Sequence, residues 1–175
     1  MKIQFDPLEK AVLVKIEIFF GMVRKDVEKL IGAGEKIDNR SYYFNSCLML
    51  EYNEKNQLVF LECSQGIGTV MIDDIDIFHT KAGTVKEYLA QKNGTPPDET
   101  EIGYEAYFPA LSVGLYRDIT PDDAAGMIQE IIQEGRELTS RQKQELENDT
   151  YRAGFGQVAS IGMHQDDDLV SGQNG

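Results

Sequence analysis

"YFNSCLMLEY" (43–52) and "YFPALSVGLY" (107–116) decide how this chain is read. Laid on each other without gaps, they match Tyr43 with Tyr107, Phe44 with Phe108 and Tyr52 with Tyr116. Each is a short apolar run rich in aromatic residues, the composition of a strand that buries one face. Upstream, Phe20, Val27 and Ile31 fall on Phe78, Val85 and Leu89 at an offset six residues shorter, a difference that the loop holding Pro96 and Pro97 can absorb. Two related units, about 12–64 and 69–118, are therefore expected, each running lead-in strand, helix, loop, strand. The fold class this implies is α+β, with both helices on one face of a shared antiparallel sheet.

The elements follow from local pattern. "AVLVKIEIFF" (11–20) reads as a strand, Gly21 breaks it, and Met22, Val27, Leu30 and Ile31 recur at helical spacing before Gly32 and Gly34. "YYFNSCLMLEYNEKNQLVFLECS" (42–64) is the clearest hairpin, with Asn56 suited to a positive φ. A three-residue loop at 54–56 would set Cys47 opposite Cys63, and a two-residue loop would shift that register by one. From Thr69 a strand gives way to a helix ending at Gly94, with Val85, Tyr88 and Leu89 as its buried stripe. Pro109 marks an edge, a strand start or a bulge. Thr120, Pro121, Asp122 and Asp123 form a strong helix start. A single domain is expected over 1–152, with a C-terminal helical segment at 120–152 closing the core. Residues 153–175, ending "HQDDDLVSGQNG", have little to bury and read as a flexible tail.

Charge narrows the function classes. The net charge is −13, and twelve of the thirteen excess negative charges lie after Ser64. Such a surface repels nucleic-acid phosphate and anionic lipid and speeds encounter with a basic partner. Asp6, Glu9 and Lys10 interrupt any signal-peptide core, and no run of 18 apolar residues exists, so a cytoplasmic chain is expected. There the two cysteines would stay reduced.

"FGMVRKDVEKLIGAG" (20–34) resembles the helix opening of the BamE/SmpA-like fold, which also occurs in tandem in the β-lactamase-inhibitor-protein family. Gly21, Met22, Val27, Leu30, Ile31 and Gly32 carry the likeness, with an echo from Phe78 to Leu89. The chain departs from the lipoprotein members in having no lipobox cysteine and no proline after the helix-ending glycine. The resemblance implies a helix-and-sheet repeat that holds partners, and it brings no catalytic residues with it.

Catalytic motifs are thin. Cys63 with His79 would need a positioned imidazole and a depressed thiol pKa. "GIG" (66–68) and "GFG" (154–156) satisfy neither nucleotide fingerprint, so no cofactor is expected. Asp73, Asp74 and Asp76 could supply oxygen ligands to a divalent cation, without an EF-hand loop around them. On an unbulged strand, Phe108, Ala110, Ser112, Gly114 and Tyr116 share one face and form a shallow hollow walled by rings. The reading that follows is a noncatalytic binding protein acting by steric occlusion of a basic protein partner, as an inhibitor or toxin-immunity protein. Tyr52, Phe108 and Tyr116 would be its apolar anchors, and Asp73, Asp74 and Asp76 would supply steering. The alternatives are a metal-dependent hydrolase built on that aspartate cluster and a structural subunit of an assembly.

Overall fold

A computed structural model describes residues 1–117 and 119–140, and the backbone of 157–161. The architecture is α+β. Its first strands, β1 (Lys2–Asp6), β2 (Lys10–Leu13) and β3 (Ile16–Phe19), alternate apolar and polar residues, so Ile3, Phe5, Ala11, Leu13 and Ile18 point to one side and are buried. Helix α1 (Arg24–Ile31) follows. Its start is tied to the next hairpin by backbone bonds from Gly21 N to Leu58 O (2.8 Å) and Arg24 N to Asn56 O (2.9 Å). Four strands succeed it: β4 (Glu35–Ile37), β5 (Arg40–Tyr43), β6 (Leu48–Tyr52) and β7 (Leu58–Ser64). Then come β8 (Thr69–Ile72), β9 (Ile75–Asp76), α2 (Ala82–Asn93), β10 (Glu105–Phe108), β11 (Val113–Tyr116), α3 (Pro121–Gln133) and β12 (Gln157–Ile161).

Two sheets form where the sequence suggested one. The lead-in strands make a five-stranded sheet in the order β3-β2-β1-β8-β9, in which β1 and β8 run parallel. Residues before position 12 are thus integral, because β1 pairs with β2 on one side and β8 on the other. The second sheet has seven strands, β10-β11-β12-β7-β6-β5-β4, all antiparallel. One contiguous core joins both sheets to the helices. It takes Ile3, Phe5 and Ile72 from the first, Leu48, Leu50, Leu61, Phe108 and Val113 from the second, Val27 from α1 and Val85 and Leu89 from α2.

Apart from the edge strand β4, whose counterpart is the single bridge Asp98↔Tyr107, the seven-stranded sheet has the same pairing on either side of its β7/β12 centre. The hairpin β5–β6 closes at Tyr43↔Leu48, and the hairpin β10–β11 closes at Phe108↔Val113, each over four turn residues. Leu48↔Cys63 and Met49↔Glu62 on one side are matched by Val113↔Ser160 and Gly114↔Ala159 on the other. Glu62 and Ala159 face each other at the centre. The correspondence is Tyr43 with Phe108 and Leu48 with Val113, one residue away from the gapless superposition of the two sequences. In a strand a one-residue slip exchanges the faces, so Tyr107 corresponds to Tyr42 on the outer face, and Tyr116 to Glu51 instead of Tyr52.

Several sequence expectations change. Residues 157–161 lie within the segment read as a flexible tail, yet they form β12 between β7 and β11, because their backbone satisfies the inner edges of both halves. The rest of that segment, and the helical expectation for 141–152, fall outside the described residues. Helix α3 carries the expected cap: Thr120 Oγ1 accepts from Asp123 N (3.2 Å), and Asp123 Oδ2 accepts from Thr120 N (2.8 Å). It does not close the core, since none of its residues is buried. Leu30, placed on the inner stripe of α1 by spacing, is exposed. The β6–β7 loop is the three-residue form, with Asn56 at φ 58°. A bulge at Glu51/Tyr52 then moves the register, so Cys63 stands opposite Leu48 and not Cys47.

Candidate functional site

Alternation in β10 and β11 sends Ala106, Phe108, Val113 and Leu115 inward and leaves Glu105, Tyr107, Gly114 and Tyr116 on the other face. Register puts Tyr107 opposite Gly114 and Glu105 opposite Tyr116. Gly114 has no side chain to fill the space between the rings, and an open hollow of about 500 Å³ results. Its lining includes Asp98, Thr100, Glu105, Tyr107, Gly114 and Tyr116. Asp98 joins the outer flank by exchanging backbone hydrogen bonds with Tyr107 (2.8 and 2.9 Å).

The rim is held by polar contacts from three elements. On α2, Lys86 Nζ donates to Glu99 Oε1 (2.7 Å), and Glu99 Oε2 accepts from Gly103 N (3.3 Å). Arg117, just after β11, donates to the Gly103 carbonyl. Tyr104 OH donates to Asp123 Oδ2 at the α3 cap (2.7 Å). Loop 98–104 is therefore pinned on both sides, which fixes where Asp98 and Thr100 stand relative to the tyrosines.

Of the expected anchors, Tyr116 lines this hollow and is half-buried, whereas Tyr52 and Phe108 have no accessible surface and cannot meet a partner. The reason for Phe108 is parity: Pro109 to Leu111 form a 3-10 turn, so the strand does not run unbroken from 108 to 116 and the expected shared face does not exist. Ser112, expected on that face, is buried with φ 49°. Tyr107, exposed at 38%, is the wall that the sequence reading missed. The signal for it was Tyr42, which holds the matching place in the other half.

Tyr52 instead belongs to a buried polar group beneath α1. The Arg24 guanidinium lies over its ring, 4.5 Å from the centroid, and burial raises the pKa of its hydroxyl. The hydroxyl of Tyr43 lies among those of Ser41 and Tyr52 and the Gly34 backbone, so the polar atoms of this group face one another. Gly34 lets the chain close over this group: a Cβ there would stand 2.7 Å from Tyr43 Cζ and 2.8 Å from the Tyr42 carbonyl oxygen.

The three aspartates lie at the β8–β9 turn, in the five-stranded sheet, and neither strand pairing nor a shared hollow joins them to the tyrosines. Asp73 sits at the turn with φ 49°, where its carboxylate accepts from Tyr88 OH (2.6 Å) and Lys92 of α2. Those bonds hold its pKa below the ordinary range. Asp76 Oδ1 accepts from the backbone of Phe78 (3.1 Å) and His79 (3.3 Å), and its Oδ2 lies 2.9 Å from His79 Nδ1. Two of the three are thus spent on holding the turn and the start of α2, while Asp74 is exposed. Among the described residues no group of three or more His, Cys, Asp or Glu side chains is placed to hold a metal ion. Nor do Cys63 and His79 assemble. The Cys63 thiol is buried, which pushes its pKa up to about 12, and His79 meets Asp76.

At the centre of the outer face, burial raises the pKa of Glu62, against a smaller opposing influence from Arg40. Folding then favours the protonated carboxyl. That contribution is complete below the ordinary carboxylate range and is lost as pH rises through the folded-state value. Glu62→Gln is expected to raise the thermal midpoint at neutral pH, with the gain shrinking as the pH is lowered past the carboxylate range. A gain that grows toward low pH would contradict the assignment.

No helix among the described residues is long and apolar enough to cross a membrane. No family model, curated protein or solved structure matches the chain.

Proposed function

We propose that this is a noncatalytic binding protein whose acidic surface meets a basic protein partner, with the outer face of β10 and β11 as the contact. The observation that carries the reading is the hollow itself: two tyrosine walls and two carboxylates, Asp98 and Glu105, in a chain of net charge −13. Tyrosine supplies large contact area at low conformational cost, and carboxylates at the rim steer a cationic partner. Action by occlusion, as an inhibitor or immunity protein, fits an open sheet face, and the residues weighed for chemistry do not assemble there: the Cys63 thiol is buried, and Asp73 and Asp76 are engaged at the β8–β9 turn. The tandem inhibitor family resembled by residues 20–34 supports the same direction. Cytoplasmic residence suits it, since both cysteines are unbridged.

Affinity capture from native lysate at low and high salt tests this, with the doubly neutralised Asp98→Asn/Glu105→Gln chain as comparator. Basic proteins retained by the wild type at low salt, and lost both at high salt and on the comparator, are expected. Capture that is indifferent to salt and to the two substitutions would overturn it.

A further inference from the structure

The two halves of the seven-stranded sheet solve the same outer position differently, and the difference identifies a ligand group. In the first half Arg40 stands opposite Glu51 and donates from Nε to Glu51 Oε2 (2.7 Å), on the same face as Tyr42. Glu51 and the Tyr42 side chain both favour the charged guanidinium. Met49, opposite Tyr42, fills the space between. In the second half the place of Arg40 is taken by Glu105, that of Glu51 by Tyr116, and that of Met49 by Gly114, while Tyr107 keeps the place of Tyr42. The first half is complete: cation, carboxylate, ring and filler all belong to the chain. The second retains carboxylate and rings but has lost the cation and the filler, and among the described residues no basic side chain pairs with Glu105.

We infer that the hollow between Tyr107 and Tyr116 receives an arginine side chain of the basic partner, whose guanidinium pairs with Glu105 as Arg40 pairs with Glu51 in the other half, with its flat face against the tyrosine rings. Arginine is the better occupant than lysine. Its planar fork matches a carboxylate with two parallel hydrogen bonds and its flat face lies on an aromatic ring, which an ammonium does less well. Asp98, beside Tyr107 as Glu35 is beside Tyr42, adds a second carboxylate at the rim. The space suits a side chain delivered from outside because it is open along the sheet face and its rim is fixed by the Lys86–Glu99 and Arg117–Gly103 contacts.

This rests on the binding reading above, and the test separates the two. The full-length, isotope-labelled protein is titrated with oligoarginine and with oligolysine of equal length, and amide shifts are followed by NMR. Gly114→Met restores the filler of the first half. Among the described residues a Cβ at Gly114 meets nothing closer than Tyr107 Cδ2 at 3.9 Å, so the fold should tolerate it, and a thermal melt checks this. Oligoarginine is expected to shift Tyr107, Gly114 and Tyr116 and to bind more tightly than oligolysine, with affinity falling about tenfold or more in Gly114→Met and in Glu105→Gln. Shifts confined to other residues, or equal affinity in both variants, would overturn the inference. If basic proteins are still captured from lysate by Gly114→Met as by wild type, the arginine site fails and the binding reading stands. If no basic protein is captured by the wild type, both fail.

Discussion

A chain ending at residue 156 is expected to lose its cooperative fold. β12 pairs with β7 over Gln157↔Ser64 to Ile161↔Phe60 and with β11 over Gln157↔Tyr116 to Ser160↔Val113. Without it the seven-stranded sheet splits into β4 to β7 and an isolated β10–β11 hairpin. A two-stranded hairpin is marginal alone, and two unpaired edges invite association. The lost ladder bonds, each worth about 1 kcal/mol net, come together with exposure of Leu61, Cys63, Val113 and Leu115 along the opened seam. That loss is comparable with the whole stability of a domain, about 5–15 kcal/mol. Circular dichroism during heating measures it: the shortened chain should show no sharp transition. A melt at the wild-type temperature would refute the placement of β12.

Phe108→Ala is the second large effect, and its neighbour is the control. Phe108 has no accessible surface and packs in the main core, so truncation removes a full ring from a site that cannot collapse, costing about 3–5 kcal/mol. Tyr107→Ala removes a ring exposed on the outer face and should cost about 1 kcal/mol or less. Urea unfolding of the two variants gives the order directly. The functional readout runs the other way, because Tyr107→Ala is expected to weaken capture of the basic partner. A more stable Phe108→Ala than Tyr107→Ala would mean that the faces of β10 are reversed.

How far the sequence reached can be argued from these same residues. The matching aromatic runs at 43–52 and 107–116 do occupy corresponding places, but each was read as a single strand and each folds as two strands around a four-residue turn. What the letters could not settle was the register. Tyr43 and Tyr107 are identical, but the closing pairs are Tyr43↔Leu48 and Phe108↔Val113. Identity of residue type is weaker than the parity of burial, and the 3-10 turn at Pro109–Leu111 breaks the alternation that set Phe108 on the face of Tyr116 in the sequence reading. Tyr52 erred for another reason. It ends β6 where the bulge begins, beneath Arg24, a contact between residues 28 positions apart that no local pattern announces. The cap at Thr120, the turn at Asn56 and the helix ends at Gly32 and Gly94 were legible because each depends on a few adjacent residues.

β12 shows the opposite limit. "QVASI" (157–161) is short, follows a charged stretch and precedes an acidic one, so its composition argues for solvent. It is in the sheet because two inner edges, β7 and β11, need a partner there, and that need exists only after both halves have folded. The hollow has the same origin. Gly114 in isolation looks like a weakness in a strand, and it opens a hollow only because Tyr107 and Tyr116 line the same face.

Hydrogen exchange followed residue by residue across 113–116 and 157–161 bears most directly on the sheet of two matching halves. The ladder amides of β12 should exchange as slowly as those of β7 and β11, since all three sit in the middle of one sheet. Exchange of the 157–161 amides at the rate of an unstructured peptide, beside slow exchange in β7, would contradict the joined sheet and the hollow that depends on it.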